Sequence, residues 1–236
     1  MLTLRKAEDR GHTDLGWLNS YHTFSFGNYH DAKHMGFRAL RVLNDDRVAA
    51  GKGFGAHGHR DMEILSYVLE GALAHKDSMG EQHVLGPNEV QAMSAGSGVI
   101  HSEFNASATA PTHFLQIWIV PAVQDLEPSY QQFAYSSAEK RGALRLIAGP
   151  ERTSTPPAAF INQDARMYAA VLGARDSIEY SIRPGRHAWV HCATGAIEVN
   201  GVALEEGDGL AVSDESALLF RGANGGDSEM LLFDLA

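Results

Sequence analysis

The chain of 236 residues has a single cysteine, Cys192, so no disulfide can form within it. It also lacks an apolar run near eighteen residues, which excludes a transmembrane helix. Its opening, Met1-Leu2-Thr3-Leu4-Arg5-Lys6, has no signal-peptide core. These absences lead to the expectation of a cytoplasmic protein with no membrane partner. Positive charge is scarce: 19 Lys and Arg against 29 Asp and Glu give a net charge of −10. A general nucleic-acid binder needs a basic face for phosphates, so no direct nucleic-acid partner is expected. Cys192 stands beside Val190 and His191 and reads as a buried strand residue rather than a thiol nucleophile.

What the sequence does hold is short strand-like runs punctuated by glycine. Tyr67 to Gly71 and Ala72 to Asp77 read as two strands joined at Gly71. Val90 to Ser94 is a strand, and Ala95-Gly96-Ser97-Gly98 a tight turn that delivers Val99-Ile100-His101. Phe114 to Val120 is a buried strand stopped by Pro121. Leu43-Asn44-Asp45-Asp46-Arg47 carries a turn signal. Residues 1–35 are rich in aromatics without a clear period, as in an arm packed over a barrel. Many short strands with glycine-rich turns predict an all-β sandwich or barrel.

The second half echoes the first. Ala193 to Gly201 repeats the outline of Leu69 to Gly80, and Glu206 to Ser213 that of Gly86 to Ser94. Two lobes follow, residues 1–125 and 126–236, with residues 121–140 as the connection and a helical turn near Ser136 to Lys140. The alignment sets Ser181, Arg183, Phe220 and Gly222 opposite His57, His59, His101 and Glu103. The second lobe therefore lacks metal ligands, and His187 and His191 read as structural.

Gly51-Lys52-Gly53-Phe54-Gly55-Ala56 fits a dinucleotide fingerprint literally, but His57-Gly58-His59-Arg60-Asp61 is poor helix-start sequence. Those glycines read better as close backbone approach around a site. Just after them comes His57-x-His59, and roughly forty residues later His101-x-Glu103. In strands, residues i and i+2 share a face. Two such strands side by side bring together three imidazoles and a carboxylate, a donor set suited to a divalent metal. Glu63, four residues after His59, shares that face by parity and competes with Glu103 as the fourth ligand.

Gly51-x5-His57-x-His59-x3-Glu63 with Gly71 resembles the first cupin motif. Gly98-x2-His101-x3-Asn105 resembles the second, although Gly96 stands where that motif has proline. Within the cupins, the chain resembles the pirin family along essentially its whole length, in particular bacterial pirin-like proteins with quercetin 2,3-dioxygenase activity. The resemblance implies a bicupin of two jelly-roll-like β-barrel lobes, and it favours Glu103 over Glu63 beside the three histidines. It implies one divalent ion, with iron(II) favoured; the donors also suit manganese, nickel, copper or zinc. It further implies cleavage of a quercetin-like flavonol by O2 with loss of carbon monoxide. Glu103, the only carboxylate in that shell, is the expected acceptor of the hydroxyl proton. Phe54, Met93 and Ile100 are candidate pocket walls. The same resemblance leaves open a metal- or redox-sensing regulatory protein with a protein partner.

Overall fold

The computed structural model describes residues 1–153, 155–223 and 225–236. Among them are twenty-two strands, two 3-10 turns and no α-helix. The strands begin with β1 (Leu2–Arg5), β2 (Gly11–Asp14), β3 (Leu18–His22), β4 (Leu40–Val48), β5 (Gly53–His59) and β6 (Glu63–Glu70). Next come β7 (Leu73–Asp77), β8 (Gln82–Leu85), β9 (Glu89–Ser94), β10 (Val99–Asn105), β11 (Thr112–Ile119) and β12 (Ser129–Ala134). After a 3-10 turn at Ser137–Lys140 follow β13 (Arg145–Gly149), β14 (Ala159–Phe160), β15 (Ala165–Leu172), β16 (Ser177–Ser181) and β17 (His187–Thr194). The last are β18 (Ala196–Val199), β19 (Val202–Glu205), β20 (Gly209–Val212), β21 (Ala217–Gly222) and β22 (Ser228–Leu235). No helix of the described residues is long and apolar enough to cross a membrane.

The strands gather into two compact units, each discontinuous in sequence. One holds Gly11–Tyr135 and Pro150–Gln163; the other holds Met1–Arg10, Ser136–Gly149 and Asp164–Ala236. This differs from the expected division at residue 125 in three places, residues 1–10, 126–135 and 150–163. Residues 126–135 stay with the first unit because β12 pairs along β9, Tyr130 opposite Met93. Residues 1–10 join the second unit because β1 pairs along β20, Leu2 opposite Val212, and Lys6 Nζ reaches Asp208 at 3.0 Å.

The first unit is a sandwich. A seven-stranded sheet runs β12-β9-β6-β11-β4-β3-β2, and a four-stranded sheet runs β5-β10-β7-β8. Leu18, Val48, Val68 and Phe114 from the larger sheet close a core with Leu73 and Leu85 from the smaller. In the second unit β1, β20, β17, β22, β15 and β13 lie side by side, and β16-β21-β18-β19 form the smaller sheet. Val190, Cys192, Leu210 and Leu232 pack there against Ile197, Leu204, Leu218 and Phe220. The all-β, two-lobe architecture is the one expected.

The internal repeat is visible in the backbone. Gly71 and Gly195 turn matching hairpins at φ +76° and +74°, a region L side chains avoid. The ladders correct the expected register of the second lobe, however. Leu73 pairs with Asn105 and its counterpart Ile197 with Gly222. Leu218 and Phe220 therefore stand where the first unit has His101 and Glu103. Tyr180 lies opposite Leu218, as His57 lies opposite His101, so Tyr180 and Ile182 replace the two β5 histidines. All four belong to or pack against the apolar core.

One expectation fails locally. Leu43-Asn44-Asp45-Asp46-Arg47 is not a turn but the middle of β4, with Asn44, Asp45 and Asp46 buried. Asn44 and Asp45 find partners across the sheet in His22 and His113, which lowers the penalty that pushes such residues into turns.

Gly53 sets the spacing of β5 against β10. A Cβ there would lie 2.3 Å from the Glu103 carbonyl oxygen and 2.5 Å from Phe104 Cα, whereas at Gly55 it would meet nothing within 4 Å. Gly53→Ala is therefore expected to cost about 1–3 kcal/mol, the range of core overpacking, while Gly55→Ala stays within about 0.5 kcal/mol. Urea midpoints of the two variants check this, and equal stabilities would contradict it.

Candidate functional site

Antiparallel pairing places His101 opposite His57 and Val99 opposite His59, with a bulge between His101 and Glu103 that sets Glu103 opposite Phe54. The extra residue lies on β5, between Phe54 and His57, while His101 and Glu103 keep the regular alternation of β10 against β7. The three imidazoles converge: ring centroids are 4.8 Å apart for His57–His59, 4.5 Å for His57–His101 and 4.8 Å for His59–His101. Each offers a ring nitrogen within 4.8 Å of the others. His57 Nδ1 lies 2.8 Å from the Gly55 carbonyl, which fixes the proton on Nδ1 and leaves Nε2 as a lone pair. His57 Nε2 and His101 Nε2 are 3.1 Å apart. Two nitrogens bound at right angles to one first-row ion, each at about 2.0–2.1 Å, would be about 3.0 Å apart. The spacing and the nitrogen-rich donor set both fit a divalent ion.

Burial, reinforced by the neighbouring imidazoles, lowers His59 to about 4 and His101 to about 3. Both rings are thus neutral near pH 7, the state in which an imidazole can ligate.

Glu103 is 1% exposed. Its Oε1 accepts from Gln91 Nε2 at 2.9 Å and lies 2.9 Å from Ser66 Oγ; its Oε2 accepts from Gln116 Nε2 at 2.5 Å. These partners lie along one rung of the larger sheet. His22 pairs with Asn44, Asn44 with Gln116, Gln116 with Ser66, and Ser66 with Gln91. An isolated polar residue in the middle of each apolar strand, as in Phe114-Leu115-Gln116-Ile117-Trp118, was the available signal for this rung.

Sequence reasoning also missed His75 and Asp77 on β7, opposite Glu103 and His101. His75 forms a second group with His101 and Glu103 whose ligand atoms lie within 4.8 Å of one another. His75 Nε2 is 3.0 Å from Asp77 Oδ2, and Asp77 Oδ1 accepts from the Met79 and Glu81 amides. Burial alone would raise Asp77, but these hydrogen bonds outweigh it and hold the carboxyl below its usual range. The carboxylate thereby orients the His75 ring.

Glu63 is elsewhere. It is buried on β6, where Oε1 accepts from Ser94 at 2.9 Å and Asn162 at 3.1 Å. Burial raises its pKa despite these bonds.

A cavity of about 240 Å³ opens beside the imidazoles. Phe26, Phe54 and Trp118 supply its apolar walls, and Ser20, His22, Asn44 and Asp46 a polar one, with His57, His59 and Glu103 also on its lining. Trp118 meets the His59 ring edge-on at 4.9 Å and Phe26 at 5.3 Å. Of the three expected wall residues only Phe54 lines the cavity: Met93 packs with Ile64, Ala95 and Val99, and Ile100 is 55% exposed. His22 bonds to Asn44 at 2.9 Å and Thr13 at 3.0 Å. In the other unit His187 bonds to Ser213 at 2.8 Å.

The Pirin family profile matches residues 3–119, and the profile described as the quercetinase C-terminal cupin domain matches residues 146–235. The chain is 43% identical over 235 residues to the quercetin 2,3-dioxygenase of Escherichia coli (strain K12), covering 100% of this chain and 99% of that one. It is 37% identical over 233 residues to the pirin-like protein of Caulobacter vibrioides, covering 98% and 99%. Among solved structures, the E. coli bacterial pirin YhhW in complex with nickel(II) superposes with a TM-score of 0.93 at 43% identity, covering 100% of this chain and 99% of that one. Identity at this level from end to end, on the same two-lobe fold, makes this chain a member of the pirin family of cupins.

Proposed function

We propose that this chain is a metal-dependent dioxygenase that opens the heterocycle of quercetin-like flavonols with O2 and releases carbon monoxide. The observation that carries the reading is the trio of converging imidazoles, two of them 3.1 Å apart at Nε2, facing an aromatic-walled cavity. The E. coli relative named quercetin 2,3-dioxygenase, aligned over the whole chain, supports the substrate class.

His57, His59, His101 and Glu103 are the proposed ligands of one divalent ion, iron(II) by preference, with nickel(II) the ion of the solved relative. When bound, such an ion lowers the pKa of a coordinating hydroxyl and polarises its oxygen. Phe26, Phe54 and Trp118 exclude water from the flavonol rings. Gln91, Ser66 and Gln116 hold Glu103 in one orientation.

Protein reconstituted anaerobically with iron(II) or nickel(II), then given quercetin and air, is expected to consume O2 and release carbon monoxide in equal amounts. An oxygen electrode and gas analysis read both. Absence of uptake with either ion would sink the dioxygenase reading.

Glu103→Gln keeps the volume and removes the charge. Metal affinity should fall by more than about a hundredfold, beyond the 10–100-fold typical of an outer partner, and oxygen uptake should cease. Glu63→Gln, whose bonds go to Ser94 and Asn162, should leave metal content unchanged. Elemental analysis of both variants decides, and the reverse pattern would restore Glu63 as the ligand.

His59 and His101, held near 4 and 3 by burial, have no proton to release on binding an ion between pH 7 and 5.5. Metal affinity over that range should fall by no more than about tenfold per pH unit, one proton per ion. A slope of two or three protons per ion, measured by competition with a chelator, would contradict it.

A further inference from the structure

Glu103 has been given two tasks, holding the ion and accepting a proton, and its surroundings leave room for one. A carboxylate offers about four lone-pair sites. Ser66 Oγ and Gln91 Nε2 flank Oε1 at 2.9 Å each, and Gln116 Nε2 takes one side of Oε2. The one site left on Oε2 can hold an ion or a proton, not both.

A second carboxyl lines the same cavity. Asp46 on β4 stands two residues from Asn44, on the face that carries Ser20 and His22 of the neighbouring strand. It is 3% exposed, and its Oδ1 has no hydrogen-bond partner. A buried, unpaired acceptor is costly, and a ligand hydroxyl would relieve that cost. The charged and titratable groups about it are few. Asp45, the next residue, is engaged by His113 at 2.8 Å and Arg47 at 3.0 Å. Glu103 faces it from β10, His22 from β3, and His57 and His59 from β5 share the cavity.

We propose that Asp46, not Glu103, accepts the proton of the flavonol ring hydroxyl in this cavity. The step is a plain transfer: the substrate O–H bond breaks, an O–H bond forms on Asp46, and the electron pair stays on the flavonol oxygen. The proposal rests on the flavonol reading of the site. Burial raises Asp46 to about 7, with Asp45 and Glu103 adding to the rise and the Ser20 hydrogen bond opposing it. That is close to the operating pH, where a general base works best.

The ionised flavonol absorbs at longer wavelength than the neutral one, so metal-loaded protein mixed with quercetin under argon reports the transfer without oxygenation. In the native protein the ionised fraction should rise with pH through about 7. In Asp46→Asn it should drop at least tenfold at pH 7 with metal content unchanged, and turnover in air should fall about 10²–10⁴-fold. Ser20→Ala, which removes the opposing hydrogen bond, should move the midpoint upward; this variant decides if Asp46→Asn does not fold. Ionisation by the native protein without oxygen uptake in air would defeat the dioxygenase reading and leave the Asp46 assignment standing, provided Asp46→Asn abolishes it. Three results would overturn the assignment: equal ionisation in the native and Asp46→Asn proteins, no ionisation in either, or a Ser20→Ala midpoint that does not move.

Discussion

A carboxylate that is 1% exposed is the constraint around which the first unit is arranged. Placing a charge in a protein interior costs several kcal/mol unless hydrogen bonds replace its water. Gln91, Ser66 and Gln116 do so for Glu103, and they come from three neighbouring strands of the opposite sheet. Because side chains alternate along a strand, a slip of one residue in any of the three would turn its polar group away. The buried charge thus fixes the register of the sheet that faces it. The equivalent position of the second unit holds Phe220, buried in an apolar cluster, so the two lobes fill one place in one fold by opposite chemistry.

The imidazoles answer the same dielectric in the other direction. Burial disfavours their charged forms, and clustering adds mutual repulsion. The low polarity that makes Glu103 expensive therefore keeps nitrogen lone pairs available beside it. Asp77 beneath His75, and the Gly55 carbonyl beside His57, orient individual rings.

The fold class was legible because glycine and proline punctuate short apolar runs, and the repeated hairpins survive as left-handed glycines at matching turns. The three histidines were legible because alternation in strands is a strict rule. Three things were not. Asn44, Asp45 and Asp46 look like a turn in isolation, and only the cross-strand partners His22, His113 and Ser20 make them strand residues. His75 carries no local mark, since it becomes relevant only when β7 lies along β10. The register of β21 differs by two residues from the sequence expectation, because the turns after Ser94 and Ser213 differ in length. In each case the missing information was a contact between residues far apart in the chain.

The pairing of β1 with β20 has a consequence for synthesis. Leu2 is held against Val212 and Lys6 against Asp208, so an early segment completes a sheet whose other strands come last. At about 5–20 residues per second of translation, this segment waits roughly ten to forty seconds for its neighbour. Closing a loop of that length carries an entropic cost of about (3/2)RT ln n, near 5 kcal/mol, that no local contact offsets beforehand. Until β20 emerges, β1 is an unpaired edge in search of a strand, and a second nascent copy that emerged first could offer one.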